Sequence, residues 1–227
     1  MSAPSIHATW PFRLTRQLGR FILHALFRIE VQGLRNIPPA GSILAGNHLS
    51  WADPFLIMIL FPITPRVYFL APRETVLNRA WKAWIMGLLG RAIFYERSQG
   101  IIQRQVIEQV SQLLAAGGVL GIFPEGGVGQ REGELLPLKK GIGHFALESG
   151  RPILPIAFSG TQELYLRKTI RVIIGRAFVP KAKGETYGDQ VESITAQVES
   201  ALRAILPTYR EEPGVVKRWR WLNRLFR

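Results

Sequence analysis

Ser42-Ile43-Leu44-Ala45-Gly46-Asn47-His48-Leu49-Ser50-Trp51-Ala52-Asp53-Pro54 passes from an apolar run through a polar turn to a helix start. The first four residues read as a short buried strand. Asp53-Pro54 has the signature of a helix N-terminus, with the carboxylate as N-cap and proline at the first helical position. A strand that feeds a helix through a turn is half of an α/β unit, and the rest of the chain repeats the alternation. Upstream, residues 10–30 have apolar groups at helical spacing, and Gly33 to Gly41 forms a turn around Pro38-Pro39. Downstream, Arg66–Ala71 alternates like a strand, 74–89 reads as a Trp- and Met-rich helix, and Arg91–Tyr95 as a short strand. Ile102, Val106, Val110, Leu113 and Leu114 mark one helix face, closed by Gly117-Gly118. Val119–Phe123 is an apolar strand, Gly141–Glu148 a helix, Pro152–Phe158 and Ile170–Val179 strands, and Val191–Leu206 an amphipathic helix ended by Pro207. Such alternation predicts an α/β fold. One domain spans about 30–206, preceded by an amphipathic segment at 1–29 and followed by a basic tail at 207–227.

The length of 227 residues suits one large domain, and 47% hydrophobic residues exclude a disordered chain. The absence of cysteine excludes disulfides, thiolate nucleophiles and Cys-based zinc sites, and fits a reducing compartment. The longest uncharged stretches are interrupted by prolines or glycines, so no transmembrane span is expected. Basic residues break up the N-terminal apolar stretch, and no small-residue cleavage site follows, so a signal peptide is not expected either.

The formal charge is +13, and nine of the excess cations lie at the two ends, which contain no acid: Arg13, Arg16, Arg20 and Arg28 in 1–29, and Lys217, Arg218, Arg220, Arg224 and Arg227 in 217–227. Both ends also carry Trp, Phe and Leu. Basic, aromatic segments of this kind suit the interface of an anionic membrane. A helix packed on the domain with solvated charges explains the N-terminal segment equally well. Two tryptophans among five cations favour the membrane for the tail. Nucleic acid is the rival polyanion, but no nucleic-acid motif is present, and none is expected as a partner.

Four short constellations are able to carry chemistry. His48 and Asp53 lie five apart, about 140° around an ideal helix, so they meet only if a strand-to-helix turn folds them together. Asp53 would then hold one imidazole nitrogen and leave the other free to take a proton. Taken alone, the spacing is read more simply as a helix cap beside a polar turn. Phe123-Pro124-Glu125-Gly126-Gly127 ends a strand, where α/β folds gather ligands, and it is equally an ordinary turn. Arg97, just past the strand ending at Tyr95, is able to bind a phosphate bidentately or to be a solvated charge, and Lys139 has the same ambiguity. No His-Glu-x-x-His, P-loop or Gly-x-Ser-x-Gly pattern is present, and no metal is expected.

The order and separation of these blocks resemble the lysophospholipid/glycerolipid acyltransferases, the family that includes 1-acyl-glycerol-3-phosphate acyltransferase. The family's N-H-x-x-x-x-D is matched by Asn47–Asp53 and its F-P-E-G by Phe123–Gly126. Its V-P-(I/V)-A-like strand is matched by Ile153–Ala157, and its G-x-x-F-x-x-R more loosely by Gly90–Arg97. The likeness covers about residues 28–180. It implies a single domain with a mixed, mostly parallel sheet flanked by helices. It implies fatty acyl transfer from acyl-CoA or acyl-carrier-protein to a lysolipid hydroxyl, without a further cofactor, at the cytoplasmic face of a membrane. His48 would be the general base and Asp53 its support, with Asn47, Arg97, Glu125, Gly126 and Lys139 toward the substrate. A silent lipid-binding protein and a thioesterase are the alternatives on the same fold. One departure stands out. Phosphatidate-making members usually continue F-P-E-G-T-R-S, whereas this chain has Gly127-Val128-Gly129, and Arg131 is the nearest cation offered in place of the missing one.

Overall fold

The computed structural model describes residues 7–76, 91–96, 103–209 and 214–225. A seven-stranded sheet forms its centre: β1 (Arg28–Gln32), β2 (Ser42–Gly46), β3 (Val67–Pro72), β4 (Arg91–Tyr95), β5 (Val119–Ile122), β6 (Ile153–Ser159) and β7 (Thr169–Ile174). Their order is β1-β7-β6-β2-β5-β3-β4, and every neighbouring pair is parallel except β6 with β7. The expected mixed, mostly parallel sheet is therefore present.

Burial on both faces explains the apolar runs. All of β2 and all of β6 are buried, as strands covered by helices on both sides require. Side chains alternate between two cores. Leu44, Leu154, Ile156 and Phe158 join a cluster with α1 (Trp10–Leu26) and α2 (Ala52–Leu60). Ile43, Ile153, Leu120 and Ile122 join the cluster on the opposite face. That second layer is built from α4 (Arg104–Ala115), α5 (Gly141–Ser149) and α6 (Tyr187–Ile205), while α3 (Arg73–Val76) is a single turn after β3.

Several boundaries differ from the sequence reading. The N-terminal helix stops at Leu26, and Arg28–Gln32 pairs with β7 instead of continuing it. Ile29 and Val31 pack toward the α1–α2 core, so alternating burial overrides the helical spacing. The last strand ends at Ile174, beyond which Gly175 N–H bonds Pro155 O and Phe178 bridges back to Ile153. Helix α6 begins at Tyr187, set by a capping box between Thr186 and Asp189. Asp53 lies within the first turn of α2 and is not its N-cap, the position held by Trp51. Residues 77–90, most of the expected 74–89 helix, lie outside the described residues.

The sheet also builds a support beneath one loop. A Cβ on Gly121 in β5 would lie 2.6 Å from the Phe69 ring, so glycine there lets Phe69 lie flat against the sheet. Phe69 is stacked in turn with Phe123 at 6.4 Å between centroids. Gly121→Ala is expected to displace Phe69 and cost about 1–3 kcal/mol, as core overpacking does. Urea unfolding measures the loss, and an unchanged midpoint would show that the sheet absorbs the methyl without moving the ring.

Candidate active site

Three adjacent parallel strands, β6, β2 and β5, end at the same edge of the sheet. In open α/β sheets ligands bind beyond the carboxyl ends of such strands. The residues just past each end meet here. Asn47 follows β2, and its side-chain Nδ2 donates to Phe158 O at 3.1 Å while its Oδ1 accepts Phe158 N–H at 2.7 Å. This bidentate bond, completely buried, locks the end of β2 to β6. Asn47 was expected toward substrate; the structure spends both ends of its amide on backbone.

His48 comes next, and four contacts fix it. Its N–H donates to Glu125 Oε1 at 2.8 Å, and its carbonyl accepts Gly129 N–H at 2.6 Å. Its ring stacks on Phe123 at 4.2 Å, with 19° between planes. Its Nδ1 lies 2.9 Å from Asp53 Oδ2. The turn thus brings together the two residues whose spacing alone left the contact open. A carboxylate accepts, so Nδ1 carries the proton in the neutral ring and Nε2 is left with its lone pair. Asp53 has no exposed surface, whereas the His48 side chain keeps 17% of its own.

The Asp53 carboxylate gathers more than the imidazole. Oδ2 also accepts the N–H groups of Leu49 at 2.7 Å and Ser50 at 2.8 Å, and Oδ1 accepts the Thr161 hydroxyl at 2.6 Å. The Ser50 hydroxyl accepts the Ala52 N–H, serving the start of α2 in place of the expected Asp53 cap.

Glu125 is also buried, and its second oxygen accepts Leu136 N–H at 2.8 Å. Both oxygens therefore hold loops. Gly126 has φ +69 at the turn, and the stem of exposed Lys139 lies over it. Arg131 turns to Glu134 at 3.4 Å on the surface and does not replace the missing cation. Arg97 lies outside the described residues; β4, which precedes it, ends at the same sheet edge. A groove of about 430 Å³ opens along the turn that follows His48, walled by Leu49, Ser50, Trp51, Val128, Gly129, Gln130 and Gln162.

Two residues absent from the sequence reading complete the arrangement. Thr161 reaches Asp53, and Glu132 accepts the N–H groups of Gly160 and Gln162 on either side of it. The available signal was the Ser159-Gly160-Thr161-Gln162 run just past a buried strand.

Burial pushes the Glu125 carboxyl above its ordinary value, and the two backbone N–H bonds only partly oppose it. A raised folded-state value favours the protonated native form. Its stabilising contribution is therefore complete below the ordinary glutamate range and is lost as pH rises through the folded value. Glu125→Gln cannot titrate and leaves one backbone N–H facing an amide NH₂, which costs about 1–3 kcal/mol. The stability gap between the native protein and Glu125→Gln is expected to be largest near pH 4 and to narrow toward about pH 7. Urea unfolding at the two pH values checks the sign, and a gap that widens with pH contradicts it.

Comparison with known proteins bears on the family and the fold. The Acyltransferase family model matches residues 28–159. The 1-acyl-sn-glycerol-3-phosphate acyltransferase alpha of Mus musculus is 30% identical over 204 residues, spanning 86% of this chain and 69% of that protein. Its Bos taurus counterpart is 30% identical over 187 residues, spanning 81% of this chain and 63% of that one, so this chain covers a little under two thirds of the bovine protein. The 1-acyl-sn-glycerol-3-phosphate acyltransferase of Pseudomonas aeruginosa is 28% identical over 203 residues, with 83% and 76% covered. The crystal structure of the 1-acyl-sn-glycerophosphate (LPA) acyltransferase PlsC from Thermotoga maritima superposes with a TM-score of 0.60 at 20% identity, over 85% of this chain and 79% of that one, which shows a shared fold. The matched segment contains His48, Asp53, Glu125 and the whole of β6, and on this evidence the chain belongs to the acyltransferase family.

Proposed function

We propose that this protein is a glycerolipid O-acyltransferase that works on a membrane surface. It moves a fatty acyl group from an acyl-CoA or acyl-carrier-protein thioester to the hydroxyl of a lysolipid. The observation that carries the reading is the His48–Asp53 pair, whose carboxylate is fully buried while its imidazole retains exposure.

The chemistry follows from the tautomer. Nε2 takes the proton of the acceptor hydroxyl as its oxygen attacks the thioester carbonyl. Asp53 stabilises the imidazolium that forms. Collapse of the tetrahedral intermediate breaks the C–S bond, and the departing thiolate takes the proton back, which restores the neutral ring. No acyl-enzyme is needed. A positioned base of this kind is worth about 10²–10⁴-fold in rate.

The termini support the membrane part of the reading. No helix among the described residues is long and apolar enough to cross a membrane. Helix α1 buries Phe12 and Leu23 but also presents an apolar arc to solvent. Its Arg16 points inward and donates to Met58 O at 3.1 Å and Phe61 O at 2.7 Å, at the C-terminal end of α2. Trp10, Leu14, Leu18 and Phe21 face outward, with Trp10 75% and Phe21 72% exposed. Exposed Arg13 and Arg20 flank that stripe. In the tail, Leu222 is buried in the α1–α2 core, and Trp219 and Trp221 are exposed with ring centroids 6.2 Å apart. Two of the tail's cations, Lys217 and Arg220, pair with Glu163 and so dock the tail, leaving fewer than expected to face lipid. Apolar groups among cations suit a leaflet rich in anionic lipid, as the cytoplasmic one is.

Incubation of the protein with acyl-CoA or acyl-carrier-protein and a set of lysolipids, lysophosphatidate first, tests the reaction by mass spectrometry. Acylated lipid is expected, with thiol release that requires the acceptor. Equal release without acceptor would indicate a thioesterase. His48→Ala is expected to lower the rate by at least about 10²-fold with unfolding unchanged, and a fully active variant removes His48 from the chemistry. Leu14→Glu with Leu18→Glu, and separately Trp219→Ala with Trp221→Ala, are expected to weaken co-sedimentation with anionic vesicles; unaltered binding by both pairs defeats the surface assignment.

A further inference from the structure

Asp53 touches the imidazole with one oxygen only. Oδ2 receives Nδ1 of His48 and two N–H groups from its own turn. Oδ1 faces across the sheet edge, where its hydrogen bond among the described residues comes from Thr161. Thr161 has no exposed surface, so its hydroxyl serves neither solvent nor substrate. At 2.6 Å the contact lies in the range of charge-assisted O–H···O⁻ bonds.

The loop that delivers this hydroxyl is itself held. Glu132 accepts Gly160 N–H through both oxygens, at 2.9 and 3.0 Å, and Gln162 N–H at 3.1 Å. The backbone on each side of Thr161 therefore goes to one carboxylate. Gly160 has φ +87, and a Cβ there would lie 2.3 Å from the carbonyl oxygen of Thr169, where β7 begins. Backbone shape and carboxylate together hold the segment from which the Thr161 hydroxyl reaches Asp53.

We infer that Thr161 and Glu132 are positioning residues for the His48–Asp53 pair, and this rests on the reading of His48 as the base. The Thr161 hydroxyl fixes the rotation of the Asp53 carboxylate about its Cβ–Cγ bond, which keeps Oδ2 aligned with the Nδ1–H of His48. Glu132 keeps Thr161 within reach. Without the hydroxyl, Oδ1 is buried with no donor, and the carboxylate is free to turn and share the Leu49 and Ser50 N–H groups between its oxygens. The imidazole then loses its fixed orientation, although it touches neither Thr161 nor Glu132 in any contact described above. Glu132 itself does not act on substrate, because both of its oxygens are occupied by loop amides.

Thr161→Val removes the hydroxyl at nearly constant shape, and Thr161→Ser retains it. Thr161→Val is expected to lower kcat for acyl transfer about 10- to 100-fold, the loss of a hydrogen bond to a charged group expressed as rate. KM is expected to stay within about twofold, since no substrate contact is removed. Thr161→Ser restores most of kcat. Glu132→Gln, which keeps one acceptor oxygen, lowers kcat in the same direction by less. An independent readout is the downfield proton resonance of His48 Nδ1–H, expected in the native protein and in Thr161→Ser and shifted or lost in Thr161→Val. Native kcat and an unchanged resonance in Thr161→Val overturn the inference. So do equal losses in the Val and Ser variants that track a fall in folded fraction. An active His48→Ala would instead overturn the base assignment itself, whereas an inactive His48→Ala beside a native-like Thr161→Val sinks only the positioning pair.

Discussion

A carboxylate with no access to water must find its donors inside the protein, and Asp53 finds four. Removing such a group from solvent costs several kcal/mol unless hydrogen bonds replace the lost hydration. Three of the donors come from the turn that follows β2. The fourth comes from the loop after β6, more than a hundred residues later. The site therefore exists only when β2 and β6 are neighbours, and the chemistry depends on the sheet having closed in its final order. Asn47 enforces the same neighbourhood one residue earlier, by gripping both backbone polar groups of Phe158.

The third strand end acts through packing and backbone. Glu125 ties the amide of His48 to the segment around Leu136, and Phe123 supplies the platform under the ring. That platform rests on Phe69, which rests on the bare face of Gly121. A missing side chain in the middle of β5 is thus connected, ring by ring, to the orientation of an imidazole at the strand's end. Close packing transmits such displacements because the core has no slack to absorb them.

The proposed reaction gives the exposed apolar arc of α1 a physical rationale. A lipid product with two acyl chains leaves into water at a cost of about 0.8 kcal/mol per CH₂. An enzyme resting on the bilayer avoids that step. Arg16, held by the free carbonyls at the end of α2, orients the helix so that its apolar arc faces away from the protein. The same carbonyls form the negative end of the α2 dipole, where a cation is favoured. An arginine turned inward and a tryptophan turned outward are two sides of one placement.

Much of this was legible in the residues. Apolar runs at 43–45 and 153–158 marked buried strands, and strands covered on both faces need apolar side chains at nearly every position. The His48–Asp53 and Phe123–Gly126 blocks marked the right loops. The five-residue gap could not show whether those two side chains meet, since a helix would separate them and a turn would join them. Short-range patterning was also overruled where long-range pairing was available: Arg28–Gln32 became a strand because β7 offered it an open edge. The bonds that Asn47 and Glu125 make to backbone were not legible, because backbone groups brought in from remote segments leave no local trace. Thr161 and Glu132 were missed for the same reason. Apart from β1, sequence by itself determined the strands and helices of the described core and which loop carries the base, through local periodicity and turn chemistry. Tertiary structure alone decided which buried polar atoms face one another, because that is settled by the order in which β6, β2 and β5 lie side by side.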